Sequence, residues 1–253
     1  MAGTAVSGRL GKRPSWRTAT LEGRHAESPS AHTLVFRVPD WPGHVAGQHV
    51  DVRLTAEDGY STQRSYSIAS APGERVLRLT VERLDDGEVS PYLVGELRRG
   101  DSIAIRGPVG GYFVWEPGAA QPVLLVAGGS GVVPLAAMLR RRLETGAATP
   151  MKLLYSSRAP ADVIYANELE QLADVDGIDV IHTFTRSHPD GWEGYTRRID
   201  AAMLAEVAWP ASQGPAAFVC GPTRLVEAVA DGLVAGGYPP ASVRTERFGP
   251  TGG

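Results

Sequence analysis

The chain has 253 residues, of which 43% are hydrophobic and 21% charged, values typical of a globular protein that buries a core. Its formal net charge is −3, so the basic excess that would favour nucleic acid or an anionic membrane as partners is missing. The longest apolar run, around residues 122–127, is far too short to cross a bilayer. Because an iron–sulfur cluster needs about four thiolates and the chain has one cysteine, any redox chemistry requires an organic cofactor.

The N-terminal segment, residues 1–16, is small, polar and basic, and no apolar segment follows it. We therefore expect a disordered tail and not a signal peptide. With no export signal, the cytoplasm is the expected location.

The region from Arg17 to Phe113 contains short alternating segments separated by Gly, Pro and Asp. This pattern predicts an antiparallel β-barrel, interrupted by one helix over residues 90–98. The predicted strands cover residues 17–26, 33–38, 49–54, 65–70, 76–84 and 103–105.

After a Gly-, Pro- and Ala-rich linker at residues 115–122, apolar runs alternate with helical patterns. Such alternation predicts an α/β domain with a doubly wound parallel sheet. The predicted strands are 123–127, 151–157, 178–185, 216–220 and 242–248, and the predicted helices are 132–144, 161–172, 198–206 and 223–235.

Four motifs carry candidate chemistry. The first, Arg64-Ser65-Tyr66-Ser67, places an arginine and an aromatic ring on one face of a strand. A flavin would use such a set, since its phosphate suits a guanidinium and its ring an aromatic partner. An amphipathic strand with an exposed arginine is the alternative.

The second motif, Gly87-Glu88-Val89-Ser90, precedes the predicted helix. A helix N-terminus binds phosphate readily because its first N–H groups are free. Simple capping by Ser90 would produce the same pattern.

The third and fourth motifs follow predicted strands of the α/β domain. Residues 128–131 (GGSG) form a strand–glycine–helix junction that lets a pyrophosphate approach the backbone, although they are not the usual G-x-G-x-x-G fingerprint. Residues 218–222 (FVCGP) end another strand, where the ligand crevice of an open sheet lies. Cys220 is either part of that crevice or a buried structural thiol.

In this order, RSYS, GEVS, GPVGGYF, LLVAGGSGVVP, YSSR and VCGP resemble the ferredoxin–NADP reductase superfamily, in its bacterial form without a fused iron–sulfur domain. The resemblance begins near Arg17 and implies two domains: an FAD-binding β-barrel at 17–117 and an NAD(P)-binding domain at 118–253. It also implies hydride transfer from NADPH or NADH to FAD, with FMN the less favoured flavin. Electrons then pass to a separate acceptor such as a ferredoxin, a haem protein or an oxygenase component.

The resemblance assigns roles residue by residue. Ser67, near the hydride-accepting nitrogen, and Cys220, beside the nicotinamide, are the candidate catalytic residues. Phe248 is expected near the flavin ring, while His49 is interpreted as a half-buried strand residue. The full set of candidate cofactor-binding residues is Arg64, Ser65, Tyr66, Ser67, Gly87, Val89, Ser90, Gly129, Ser130, Gly131, Ser157, Arg158, Thr185, Arg186, Cys220, Gly221, Pro222 and Phe248, and no metal ligand is expected.

Two arginines favour NADPH over NADH. Arg158 follows the second strand of the α/β domain and Arg186 follows the third, beside Ser157 and Thr185. A 2′-phosphate calls for arginine near the adenosine ribose, whereas NAD enzymes tend to place an acid there. Solvated loop charges are the alternative interpretation of both arginines.

Two other functions stay open on the sequence. A flavin reductase would bind flavin loosely and release it in reduced form. A non-enzymatic electron-transfer or regulatory flavoprotein subunit would carry a nicotinamide site that no longer works.

Overall fold

The computed structural model describes residues 15–118 and 121–248. Most of the predicted tail, residues 1–14, lies outside the described residues, as do residues 119–120 of the linker and 249–253. The first strand begins at Trp16, one residue before the predicted domain start. The predicted domain boundaries remain predictions. In the described parts of the chain, no helix has the length and apolar character needed to span a membrane.

Six antiparallel strands form the first sheet, in the order β4-β3-β6-β1-β2-β5. The edge strands meet where Ile68 bridges Leu79 and the Ala69 N–H donates to the Arg78 carbonyl at 2.8 Å. The sheet therefore curls into the predicted barrel. The strands are β1 Trp16–Ala26, β2 Ala31–Arg37, β3 His49–Thr55, β4 Ser61–Ser67, β5 Leu77–Glu82 and β6 Ser102–Val109.

Alternate residues of these strands point into the barrel, as the period-2 pattern requires. Val50, Val52 and Ile105 are fully buried in its core. The predicted helix at 90–98 is shorter and irregular: α1 covers Val89–Pro91 and continues as a π-helical turn over Tyr92–Glu96. It covers one end of the barrel with buried apolar residues.

Five parallel strands form the second sheet, in the order β11-β10-β7-β8-β9. One face packs on α2 and α3 and the other on α4 and α5, so the sheet is doubly wound as predicted. The elements are β7 Val123–Gly128, α2 Val132–Thr145, β8 Met151–Ser157, α3 Ala166–Ala173, β9 Ile178–Phe184, α4 Ala201–Val207, β10 Ala216–Pro222, α5 Thr223–Ala235 and β11 Val243–Phe248.

Two helices start later than the pattern predicts. The α3 helix begins at Ala166, five residues after the predicted start, because Tyr165 has a left-handed backbone conformation (φ 64°) that a helix cannot continue through. The α4 helix begins at Ala201, because the Asp200 carboxylate accepts the Met203 N–H at 2.8 Å and caps the helix there.

The strand order creates a switch point in the second sheet. Strand β7 lies between β8, which follows it in the chain, and β10, which comes much later. The connections therefore leave β7 and β10 in opposite directions, and the carboxyl ends of these strands border the crevice where open α/β sheets bind ligands. The GGSG and CGP segments both lie there.

Candidate functional site

The RSYS motif lies on the edge strand β4, with Arg64 and Tyr66 on the same face, opposite Val52 and Val50 of β3. The Tyr66 ring packs against the barrel core, and burial raises the pKa of its hydroxyl. Arg64 is exposed and donates to the neighbouring Gln63 carbonyl at 2.7 Å. Among the described residues it contacts no carboxylate, so its charge is available for a phosphate.

Ser65 differs from its two neighbours in direction. Its hydroxyl donates to the Asp51 carboxylate at 2.7 Å, and the Arg106 guanidinium donates to the other carboxylate oxygen, also at 2.7 Å. Burial alone would raise the pKa of Asp51, but the two hydrogen bonds together with the positive charge of Arg106 outweigh it and lower the pKa. The Ser65 side chain thus lies on the outer face of the sheet, where it bonds to Asp51.

The GEVS segment forms a tight loop before α1. The Ser90 hydroxyl accepts the Leu84 N–H at 3.0 Å, and the Gly87 N–H donates to the Leu84 carbonyl at 2.9 Å. The N-cap position belongs to Glu88, whose side chain makes no capping bond. Ser90 therefore holds the loop closed instead of capping the helix, and phosphate binding would fall to the remaining N–H groups at the helix start.

The GGSG and CGP segments touch each other at the switch point. A Cβ atom on Gly131 would lie 2.1 Å from the Cys220 carbonyl oxygen, so only glycine lets the two loops approach this closely. Gly129 has a φ of 55°, which also favours glycine. Ser130 is half-buried beside them. The backbone of these two loops therefore lies close to the crevice, as a dinucleotide site requires.

Four residues bring strands of the two domains together at one point. Ser67 lies opposite His49 in the β3–β4 pair, and His49 Nδ1 lies 3.7 Å from Glu246 Oε1. Glu246 in turn lies opposite Cys220 in the β10–β11 pair. The two predicted catalytic residues therefore belong to one cluster, which we call the interdomain cluster: Ser67, His49, Glu246 and Cys220.

Burial controls the charges of the interdomain cluster. It raises the pKa of Glu246 to about 7 and lowers the pKa of His49. It also raises the pKa of Cys220, as does the nearby Glu246, so this thiol is protonated and unreactive. Below about pH 7 the cluster therefore carries little charge.

One polar atom of the cluster lacks a partner. Glu246 Oε2 is buried and has no hydrogen-bond partner among the described residues. A buried polar atom of this kind is normally satisfied, so a polar group of a ligand between the domains fits there. This orphaned atom, the free Arg64 and the glycine-lined switch point together fit a flavin and a nicotinamide that meet at the interdomain cluster.

The sequence interpretation missed Glu246, which lies in a predicted strand with no motif to mark it. His49 is a half-buried strand residue, as predicted. The alternation of side chains along β11 predicts which face of the sheet carries Glu246. Its place beside Cys220 depends on the pairing of β10 with β11, which one sequence does not reveal.

The ends of β8 and β9 carry the second group of predicted residues. The Arg186 N–H donates to the Arg158 carbonyl at 2.9 Å, and the Thr185 hydroxyl donates to the Ser157 carbonyl at 3.2 Å. The Ser157 hydroxyl is buried without a partner among the described residues. Both arginines are exposed, so two cationic side chains and one unsatisfied hydroxyl share this edge.

Phe248 and Pro222 lie opposite each other at the ends of β11 and β10. The Phe248 ring is half-buried and packs against the apolar cluster beneath α2 and α3, the cluster that also contains Cys220. Phe248 therefore lies on the same side of the sheet as the interdomain cluster, as expected for a residue near the flavin ring.

Comparison with known proteins matches both domains. Residues 18–114 match the oxidoreductase FAD-binding domain, and residues 125–231 match the oxidoreductase NAD-binding domain. The chain therefore belongs to the ferredoxin–NADP reductase superfamily. These matches confirm the predicted family, the fold class, the oxidoreductase class and the cofactor pair of FAD and a nicotinamide dinucleotide.

Individual relatives fall in the same group. The ferredoxin–NADP reductase B of Sorangium cellulosum is 37% identical over 230 residues, which cover 87% of this chain and 93% of that protein. The glycine betaine monooxygenase reductase subunit of Pseudomonas aeruginosa is 35% identical over 209 residues, covering 81% of this chain. The match spans only 56% of the length of that subunit.

A solved structure shares the two-domain arrangement. The flavohem-like FAD/NAD-binding domain of the nitric oxide dioxygenase from Vibrio cholerae superposes with a TM-score of 0.82 at 26% identity. The superposition covers 94% of this chain and 100% of that one.

Proposed function

We propose that this chain is an NADPH-dependent flavin oxidoreductase that passes electrons from bound FAD to a separate acceptor protein. The interdomain cluster carries the proposal, because it brings the strand of the flavin motif and the strand of the nicotinamide motif to one half-buried point. The protein's own contribution is positioning, since hydride transfer needs donor and acceptor about 3–3.5 Å apart.

Each group of residues has one task in this proposal. Arg64 and the loop at Gly87–Ser90 hold the phosphates of the flavin, and Tyr66 lies against its ring. FAD, when bound, supplies the hydride-accepting chemistry and the capacity to release two electrons one at a time. Ser67 donates a hydrogen bond near the reacting nitrogen.

The nicotinamide side has a matching arrangement. Gly129, Ser130 and Gly131 take the dinucleotide phosphates, while Cys220 and Gly221 support the nicotinamide. Cys220 acts as a protonated, apolar support and not as a nucleophile, because burial raises the pKa of its thiol.

The preference for NADPH rests on Arg158 and Arg186. A hydrogen bond to a charged group contributes about 1.5–3 kcal/mol, and about 1.4 kcal/mol corresponds to a tenfold change in affinity. Two arginines at the ends of β8 and β9 would therefore favour NADPH over NADH by about a hundredfold. Ser157 and Thr185 complete the site, with the unsatisfied Ser157 hydroxyl as a further donor.

The acceptor is proposed to be a protein: a ferredoxin, a haem protein or an oxygenase component. The kinds of relatives support this, since they include a ferredoxin–NADP reductase and an oxygenase reductase subunit. We place the reaction in the cytoplasm, because the reduced nicotinamide that it consumes is made there.

An anaerobic titration tests the proposal. The purified protein, loaded with FAD, is mixed with one equivalent of NADPH and, separately, NADH, and its visible spectrum is followed. We expect flavin bands that bleach with both and faster with NADPH. A flavin that neither nucleotide bleaches would point to a non-enzymatic subunit, and a flavin lost on dialysis would favour a reductase that releases reduced flavin.

A further inference from the structure

Tyr165 is a strained residue between the two domains. Its backbone is left-handed, with φ 64° and ψ 31°, a region that bulky residues rarely enter. Its side chain is buried, with 5% of the surface exposed. Such strain persists only where the surrounding structure holds it in place, and it concentrates at functional positions.

The Tyr165 hydroxyl reaches into the flavin domain. It shares a hydrogen bond with the hydroxyl of Thr80 on β5. Thr80 also bonds to the Thr33 hydroxyl of β2 at 2.7 Å, and Thr33 donates to the Glu27 carboxylate. A tyrosine of the nucleotide domain thus ends a series of hydrogen-bonded hydroxyl groups that begins on the outer face of the barrel.

Arg140 of α2 also contacts Tyr165, through the face of its ring. Its guanidinium carbon lies 4.4 Å from the centre of the Tyr165 ring, and its nitrogens donate to both carboxylate oxygens of Glu168 in the first turn of α3. It also donates to the carbonyl of Ala69, two residues after Ser67. We call Thr80, Tyr165, Arg140 and Ala69 the domain clasp.

The clasp lies beside open space. A cavity of about 320 Å³, lined by residues of both domains, including Thr33, Arg78 and Tyr165, borders it. Apolar packing also joins the domains here, because Ala31 and Ala69 of the flavin domain share a buried cluster with Tyr165. The directional hydrogen bonds and the cation–π contact of the clasp supplement this packing and hold the strained backbone of Tyr165 in place.

We propose that Tyr165 is a positioning residue that fixes the position of the nucleotide domain relative to the flavin domain, and thereby the distance of hydride transfer. The inference rests on the proposed function. In the flavin domain the clasp contacts β5 and Ala69, which lies just after β4, the strand of Tyr66 and Ser67. In the nucleotide domain Tyr165 precedes α3, and Arg140 lies on α2, which follows the GGSG segment directly. A shift at the clasp therefore moves donor against acceptor and leaves each binding surface intact.

The test compares two tyrosine variants in the FAD-loaded protein. Tyr165→Phe keeps the ring and removes the hydroxyl that crosses the interface. Tyr238→Phe is the matched control, because the Tyr238 hydroxyl donates to the Trp209 carbonyl at 2.7 Å wholly within the nucleotide domain. Stopped-flow mixing with NADPH gives the nucleotide Kd and the limiting rate of flavin reduction separately.

We expect Tyr165→Phe to lower the limiting rate at least fivefold, with an unchanged Kd and a weaker long-wavelength charge-transfer band between nicotinamide and flavin. Tyr238→Phe should lose stability to a similar extent and keep both the rate and the band. Equal rates for the two variants, or a Kd change that accounts for the loss, would overturn the inference. A wild-type protein that NADPH does not reduce would instead overturn the proposed function.

Thr80 provides a second route if Tyr165→Phe does not fold. Thr80→Val removes the partner hydroxyl with little change of shape, and Thr80→Ser restores it. We expect Val to reproduce the slow reduction and Ser to rescue it. If Val and Ser reduce the flavin at the same rate as the wild type, the clasp does not set the transfer distance.

Discussion

The two ends of the proposed nucleotide path differ in physical character. At the outer end, beyond β8 and β9, Arg158 and Arg186 are exposed and cationic. At the inner end, burial leaves the interdomain cluster nearly uncharged below about pH 7. The outer end is suited to binding and selecting a charged group, and the inner end to a transfer that needs fixed geometry and little water. Changes at the outer end should therefore affect affinity, and changes at the inner end the rate.

Gly131→Ala should have the largest effect, because it disturbs the inner end at the backbone. The new Cβ would lie 2.1 Å from the Cys220 carbonyl oxygen, and overpacking of this kind costs about 3 kcal/mol, or about a hundredfold in an equilibrium constant. We expect kcat/KM for flavin reduction by NADPH to fall by about that factor. Gly23→Ala is the control, since nothing lies within 4 Å of its Cβ position. Near-normal kcat/KM in Gly131→Ala would show that the two loops need not touch.

Removal of both outer arginines should have the next largest effect. In Arg158→Ala with Arg186→Ala, we expect the ratio of kcat/KM for NADPH to that for NADH to fall by about tenfold to a hundredfold. The loss should appear in KM for NADPH, with kcat nearly unchanged. The exposed Arg75→Ala serves as control. A fall in kcat with both nucleotides would break the division between the two ends.

Glu246→Gln tests whether the inner end depends on its low charge. Burial raises the pKa of Glu246 from the usual 4.5 to about 7, so a carboxylate appears as the pH rises through 7 and opposes the arrival of a hydride. We expect the rate of flavin reduction in the wild type to fall about threefold or more between pH 6 and pH 8. The rate in Glu246→Gln should stay constant across that range. The exposed Glu227→Gln should keep the wild-type profile.

The same variant has a consequence for stability. A carboxyl group whose pKa is raised by folding destabilises the folded state as the pH rises from 4.5 to about 7, by at most about 3 kcal/mol. Glu246→Gln should therefore gain stability relative to the wild type at pH 8 and not at pH 4.5, as measured by urea denaturation of the flavin-loaded protein. Equal differences at both pH values would mean that folding does not raise the pKa of Glu246.

Local sequence patterns predicted most of the fold and only part of the site. Strand β8 and helix α5 match the predicted bounds residue for residue, because continuous apolar runs and helical periodicity are local signals. Helix α3 was predicted five residues too early, since the left-handed Tyr165 is held by contacts with Thr80 and Arg140. Contacts between distant residues leave no local pattern, which is also why the pairing of Glu246 with Cys220 was missed.

Ser65→Ala should have the smallest effect. It tests whether the side chains of Ser65 and Arg64 have separate roles, one in stability and the other in flavin binding. The Ser65 hydroxyl bonds to Asp51 on the outer face of the sheet, away from the face shared by Arg64 and Tyr66. Loss of one hydrogen bond costs about 1 kcal/mol, so we expect a small drop in stability and an unchanged flavin Kd. Arg64→Ala should instead raise the flavin Kd about tenfold or more, since it removes a charged phosphate contact. Equal losses of flavin affinity in the two variants would place the Ser65 hydroxyl on the flavin, and the predicted binding role of its side chain would stand.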